Sequence, residues 1–470
     1  MLPVAPVLGL VIGGASLLGG MPSNAAVCAA VAVVCATWWI FECLHIAAVG
    51  LVPFVVLPLA GILTHREVAA SYGHTMILLL MGGFLLSAAM ERSGAHRRIA
   101  VMMVRAVGGA GGKRLVLGFM LATASLSMWI SNTATALMML PIAMAVLSQC
   151  RDDQLKVPLL LAIAYSASVG GMATPVGTPP NVIFMGQLEE RFDTEMSFFE
   201  WMKFGLPITL ILLPTIWWWV TRNITSNERV EMPEPGPLRP NELRVLLIFS
   251  VTALLWVFRT GPYGGWSAWM PRASAIGDST IALAASLAVF VCPSGVTPED
   301  GDNNGPERPV DRLLDWETAK KGPWGILLMF GGGLALADGF EESGLSAAIG
   351  SQFSFLTAAP AWLIVMSICL VVTFLTEITS STATATLLLP ILAELSEQVG
   401  LPPQALMVPG TISCSCAFML PVATAPNVIV FGTGMLRTDQ MARMGLMLNL
   451  IAALVITLWT MLLLPGYQAP

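Results

Sequence analysis

The stretch MWISNTATALMMLP, residues 128–141, sets Ser131, Asn132, Thr133 and Thr135 inside one of the most apolar regions of the chain. Residues 375–390, LTEITSSTATATLLLP, place Thr376, Thr379, Ser380, Ser381 and Thr382 in the same surroundings. Two further patches, GGMATPVGTPPN at 170–181 and LPVATAPN at 420–427, put Gly, Pro, Thr and Asn where an apolar run would otherwise continue. All four offer hydroxyl and amide groups and backbone freed from helical pairing, and none contains Lys or Arg. The first N–H groups of a helix have no internal partner and form the positive end of its dipole, so a helix that starts at such a patch attracts an anion. Carbonyl, Ser, Thr and Asn oxygens suit a small hard cation such as Na⁺. An anion held without a fixed positive side chain gains from a cation beside it, so coupled binding of the two follows.

The elements that position these groups belong in a membrane. The 470 residues are 56% hydrophobic and 11% charged, with a mean hydropathy of +0.76. A soluble globule of this composition would leave too much apolar surface in water. Apolar stretches of roughly 20 residues, enough to cross the hydrocarbon as a helix, occur from end to end. The expected fold class is therefore an all-α polytopic membrane protein in contact with lipid, not a barrel. The eight cysteines lie mostly in apolar runs and read as small hydrophobes. The net charge of −6 identifies no partner, and no nucleic acid is expected. The opening MLPVAPVLGLVIGG lacks the basic first region of a cleaved signal.

Hydropathy predicts helices near 4–20, 26–45, 47–63, 74–91, 204–222, 244–258, 275–292, 324–341 and 440–464. The polar tips predict two re-entrant hairpins, 116–147 and 360–395, and two broken helices, 157–200 and 402–436, since unwound backbone at membrane depth is tolerated only against protein or a cavity. That makes about 11 full crossings plus the hairpins. Basic residues accumulate in short cytoplasmic loops. With the loop 91–115 inside, Arg151, Lys156, Arg222, Arg229, Arg308, Lys320, Lys321 and Arg437 fall inside as well, and only Arg66, Arg191, Lys203, Arg259 and Arg272 fall outside. The amino terminus is then cytoplasmic and the carboxyl terminus external. Two full crossings at 116–147 would leave the same sidedness, so the buried polar tip, not charge, carries the hairpin.

Internal repetition gives the organisation. GGFLLSAAMERSG (82–94) echoes GGLALADGFEESG (332–344) at an offset of 250; SNTATALMMLP (131–141) matches SSTATATLLLP (380–390) at 249; TPPNVI (178–183) matches TAPNVI (424–429) at 246. Three anchors in one order describe a duplicated half. Five crossings separate the hairpin tips, an odd number, so the halves are inverted, as in transporters whose broken helices meet near the midplane. The expected division is an extra helix at 1–25, repeat 1 at 26–222, a cytoplasmic linker at 223–243 and repeat 2 at 244–466. The polar loop 292–322 ends in a short amphipathic surface helix.

Single Ser or Thr residues in membrane helices usually serve packing or backbone bonding. Matched triads, each followed downstream by a Pro-Asn break, favour a site. Glu377, a charge beside the second triad, is either a functional carboxylate or a hydrogen-bonded structural one. Glu42 and Asp338 read as structural. GGGLALADG (331–339) lacks a Walker lysine and is not a phosphate loop. An intramembrane enzyme is disfavoured, because the four histidines are scattered and no H-E-x-x-H occurs.

Paired Ser-Asn-Thr-type triads on opposed hairpins, each followed by a GTPPN or ATAPN break, resemble the divalent anion/sodium symporter family of bacterial dicarboxylate and animal citrate transporters, over nearly the whole chain. The resemblance implies an elevator-type homodimer in the bacterial inner membrane. A scaffold domain, about 1–110 and 244–358, would hold the dimer contact, and a transport domain, about 115–222 and 360–466, would move. It implies that Ser131, Asn132, Thr133, Ser380, Ser381 and Thr382 hold the substrate carboxylates, with Thr178, Pro179, Thr424 and Ala425 nearby. One Na⁺ site would use Ser127, Ser131, Asn132 and Gly177; its twin would use Thr376, Thr379, Ser381 and Ala423. Ser381 stands where relatives commonly have Asn, and Ala425 where they commonly have Pro. These departures leave three readings in order: Na⁺-coupled uptake of C4-dicarboxylates or related di- and tricarboxylates, Na⁺-independent dicarboxylate exchange, and transport of another oxyanion such as sulfate.

Overall fold

The computed structural model describes residues 2–108, 111–149, 153–225, 234–260, 264–272, 275–295, 311–352 and 359–463. These residues form 22 α-helices and, in place of any sheet, one isolated bridge between Pro293 and Arg312. Arg151, Arg229, Arg308, Cys150 and the carboxyl-terminal end lie outside the described residues. Five helices of 18 residues or more are apolar enough to cross a membrane by themselves, among them Ser23–Ile40, Phe198–Thr221 and Thr438–Leu463. Shorter apolar helices accompany them.

The expected helices are present, with informative shifts. The stretch 47–63 is two short helices, Ile46–Val49 and Val52–Leu59, interrupted at Gly50, whose missing side chain admits the backbone of Leu328. The loop expected at 91–115 contains the helix Ala95–Gly108, one face apolar and the other basic, as suits a helix lying along a surface. Within 223–243 the linker ends early, because Pro240 starts the helix Pro240–Val257, Pro being favoured in a first turn. In the loop 292–322 the short surface helix is Trp316–Ala319, capped by Asp315, whose carboxylate accepts the Thr318 N–H at 2.7 Å. That bond holds the Asp315 carboxyl below its ordinary range.

Each of the four segments expected as a hairpin or a broken helix holds two helices. The first hairpin pairs Gly112–Ser127 with Asn132–Leu147, and the second pairs Ala361–Thr376 with Ser381–Val399. In the first broken helix, Lys156–Gly171 stops at two glycines, Pro175 and Pro179 forbid continuation, and Pro179–Phe192 restarts. Pro403–Ser413 and Ala425–Phe431 form the second. From Leu159 to Gly171 every residue is buried, as expected of a helix apolar all round at the centre of a bundle.

Two anchors show how the hairpins enter. Trp217 Nε1 donates to Lys113 O at 2.9 Å, so the first hairpin is rooted at the carboxyl end of Phe198–Thr221. Arg191, just before that helix begins, is held by Glu394 at 2.5 Å and Glu397 at 3.6 Å on the second hairpin. The two hairpins are therefore rooted at opposite ends of one helix. The apolar core is in two parts. The larger surrounds the hairpins and broken helices, and the smaller packs Ser23–Ile40 against Trp324–Glu342 through Cys28, Trp39, Leu57 and Phe340.

Candidate functional site

Each tip begins a helix with an extended residue that turns N–H groups into the interior. Ser131 has φ −56°, ψ 141°, and its hydroxyl accepts the Ala134 N–H at 3.2 Å. Ser380 adopts nearly the same backbone but makes no side-chain cap, and Thr178 likewise leaves its hydroxyl out of the cap of Pro179–Phe192. Thr424 Oγ1 accepts the Asn427 N–H at 3.3 Å.

All four tips face one cavity of about 1260 Å³. Ser131, Asn132, Thr133, Gly177, Thr178, Pro179, Thr379, Ser380, Ser381, Thr382, Ala423, Thr424 and Ala425 line it. Ser127 and Thr376 are fully buried behind the tips and do not reach it. Phe84, Ser87 and Ile326 also line it, as do the titratable residues Glu42, Glu91, Arg92, His96 and Lys321. Arg92 is occupied by Arg312 O at 2.6 Å and by Asp311 and Asp315 at 2.8 Å. Burial pushes the His96 imidazole below its usual range, and its Nδ1 lies 2.9 Å from Met90 O. The tips meet the cavity with neutral groups, and the charged residues that line it, Glu42, Glu91, Arg92 and Lys321, come from other segments.

The sequence repeat reappears as paired hydrogen bonds. Asn181 Nδ2 donates to Gly171 O at 3.0 Å and Thr174 O at 2.8 Å; Asn427 Nδ2 donates to Ala417 O and Leu420 O, both at 3.0 Å. Every member is offset by 246. Ser127 Oγ donates to Ala167 O at 2.7 Å, and Thr376 Oγ1 to Cys414 O at 3.0 Å. Each break is thus stitched by its own Asn, and each hairpin is tied to its broken helix by a hydroxyl. The sequence reading quoted both asparagines inside their motifs without a role; their matched place three residues after Thr178 and Thr424 was the available signal. Ser168 and Ser415, which also line the cavity, went unread.

The first half gathers oxygen ligands for a cation. Ser127 Oγ and Asn132 Oδ1 are 2.5 Å apart. A Cβ on Gly171 would stand 2.5 Å from Asn132 Oδ1 and 3.1 Å from Gly177 O. The absent side chain leaves a cradle walled by amide, hydroxyl and carbonyl oxygens, the ligand set a hard cation takes.

Glu377 resolves as structural. It is 3% exposed and does not line the cavity. Its carboxylate accepts the Met419 and Leu420 N–H groups at 2.8 Å and Asn449 Nδ2 at 2.7 Å, so it fastens the second break. Asp338 accepts from Ser71 Oγ at 2.7 Å in the smaller core, also a structural contact.

The profile of the citrate transporter family matches residues 36–408. The chain belongs to the citrate transporter family. This family member is 39% identical over 452 residues to a sodium-dependent dicarboxylate transporter of Staphylococcus saprophyticus, covering 92% of the present chain and 84% of that protein. A protein of the same name from Staphylococcus aureus matches at the same identity and coverage. In fold the family member is similar to the YdaH transporter of Alcanivorax borkumensis, with a TM-score of 0.64 and 13% identity over 90% of this chain and 99% of that one. It is also similar to MtrF of Neisseria gonorrhoeae, with a TM-score of 0.59 and 12% identity over 93% and 98%. Membership and the apolar helices together make it an integral membrane protein.

Proposed function

We propose that this chain is a secondary active transporter that takes up C4-dicarboxylates together with Na⁺. The observation that carries the reading is the meeting of both hairpin tips across one cavity with neutral donors and no Lys or Arg at the tips. Dicarboxylate and Na⁺ are drawn from the names of the staphylococcal relatives. Ser131, Asn132 and Thr133 on one side and Ser380, Ser381 and Thr382 on the other hold the two carboxylates, with Thr178, Pro179, Thr424 and Ala425 closing the cradle. Ser127, Asn132 and Gly177 bind one Na⁺; Thr376, Thr379, Ser381 and Ala423 bind a second. Cation and dianion bound side by side largely cancel, which lowers the cost of carrying charge through a low-dielectric interior.

Inverted repeats at 26–222 and 244–466 are supported by the nearly constant offsets and by hairpins rooted at opposite ends of Phe198–Thr221. On the orientation set by basic loops, the side of the cavity with Arg92 and Lys321 faces the cytoplasm, the amino terminus lies on the cytoplasmic side of the bacterial inner membrane and the cavity is open inward. The transport domain, 115–222 and 360–466, moves against a scaffold, 1–110 and 244–358, by an elevator displacement within a homodimer.

In proteoliposomes, succinate uptake is expected to rise with an inward Na⁺ gradient and to collapse in Asn132→Ala. Uptake indifferent to Na⁺ but dependent on internal dicarboxylate would replace symport by exchange. That second reading is favoured by one observation, Ser381 at the position matched to Asn132 of the first half.

A further inference from the structure

The two halves differ at several matched positions at the site, and three of them bear on the cation. Asn132 of the first half is Ser381 in the second, Gly171 is Ala417 and Gly177 is Ala423. The first two differences are coupled by space. A Cβ at 171 would lie 2.5 Å from Asn132 Oδ1, closer than carbon and oxygen approach without a bond. Ala417 is fully buried at the matching place. By the same geometry an asparagine at 381 would meet the Ala417 methyl group. Serine fits there, but its short chain brings no amide oxygen toward the broken helix.

Another oxygen stands close by in the chain. Ser415, two residues before Ala417, lines the cavity, is 4% exposed, and its hydroxyl has no hydrogen-bond partner among the described residues. Its backbone is fixed, because the neighbouring Cys414 C=O accepts from Thr376 Oγ1 at 3.0 Å. An unpaired buried hydroxyl is costly to keep, and a ligand that meets it removes the cost.

We propose that Ser415 Oγ supplies, in the second half, the cation ligand that Asn132 Oδ1 supplies in the first, and that Ala417 is what excludes asparagine from position 381. The assignment rests on the Na⁺-coupled reading above. It places at the second site a hydroxyl-lined cradle in which Ser415 joins Thr379 and Ser381.

The test uses the purified full-length protein in detergent without dicarboxylate, following the rise in melting temperature as Na⁺ replaces choline. Ser415→Ala is expected to raise the Na⁺ concentration at half-effect by about tenfold, the scale of one lost ligand. Ser415→Thr, which keeps the hydroxyl, stays near wild type. Ser381→Asn alone also weakens the response, Ser381→Asn with Ala417→Gly restores it, and in that double background Ser415→Ala has no further effect. The assignment is overturned if Ser415→Ala leaves the half-effect concentration unchanged, or if it costs as much in the double background as in wild type. A wild-type protein that ignores Na⁺ overturns the Na⁺-coupled reading itself; a wild type that responds while Ser415→Ala is silent overturns this assignment alone.

Discussion

Asn181 and Asn427 do the same work in the two halves. Each side-chain amide donates to two carbonyls that the break has released from helical pairing. Alanine at either position strands a buried carbonyl, Gly171 O or Ala417 O, and takes one of two donors from Thr174 O or Leu420 O, which keep the Gly177 and Ala423 N–H groups. The expected loss is about 2–4 kcal/mol, two hydrogen bonds plus uncompensated burial. Thermal unfolding in detergent is expected to show comparable drops for Asn181→Ala and Asn427→Ala, and a drop in only one would mean that the breaks are held differently. At this scale the sequence was legible wherever types recur at matched positions: Ser131 to Thr133 and Ser380 to Thr382 were found, and they do line one cavity. It was illegible where a role depends on partners far along the chain. Glu377 stood undecided because its three donors come from residues 419, 420 and 449.

Among the elements, Gly171 decides whether the first hairpin and the first broken helix can approach. A methyl group there would press on the Asn132 amide and on Gly177 O. Overpacking costs about 1–3 kcal/mol, so Gly171→Ala is expected to raise the Na⁺ concentration for half-maximal uptake roughly tenfold or more. The same variant is expected to retain a cooperative melt, measured beside Asn181→Ala. Hairpins and breaks were readable from the sequence because Gly, Pro and polar clusters interrupt runs that hydropathy would otherwise continue. The surface helix Ala95–Gly108 was not, because its basic face made the segment look like a loop. The division at Gly50 was hidden for a different reason, since the requirement for glycine comes from the passing backbone of Leu328, 278 residues away.

For the whole molecule, the proposed transport reading requires alternating exposure of the same tips. A cysteine at Thr424, in a background with Cys43, Cys150 and Cys292 replaced, is expected to react with an impermeant maleimide added from the cytoplasmic face in inside-out vesicles. Na⁺ with succinate is expected to slow that labelling. Labelling from the external face alone would reverse the proposed orientation. The duplicated plan was legible in the sequence because three anchors kept their order and nearly their spacing. The two-part core was not, because an apolar composition that suits lipid suits a protein interior equally well.

The carboxylate of Glu377 lends itself to a last consequence. Three N–H groups already point at its oxygens, and it sits behind the second tip, away from the cavity. A proton taken up there would have to displace bonds that hold the chain turn in shape. Glu377 is thus poorly placed to couple transport to a proton, and an imposed pH difference across the vesicle wall, at constant sodium and in a range where succinate stays a dianion, is expected to leave the initial rate of succinate entry where it was.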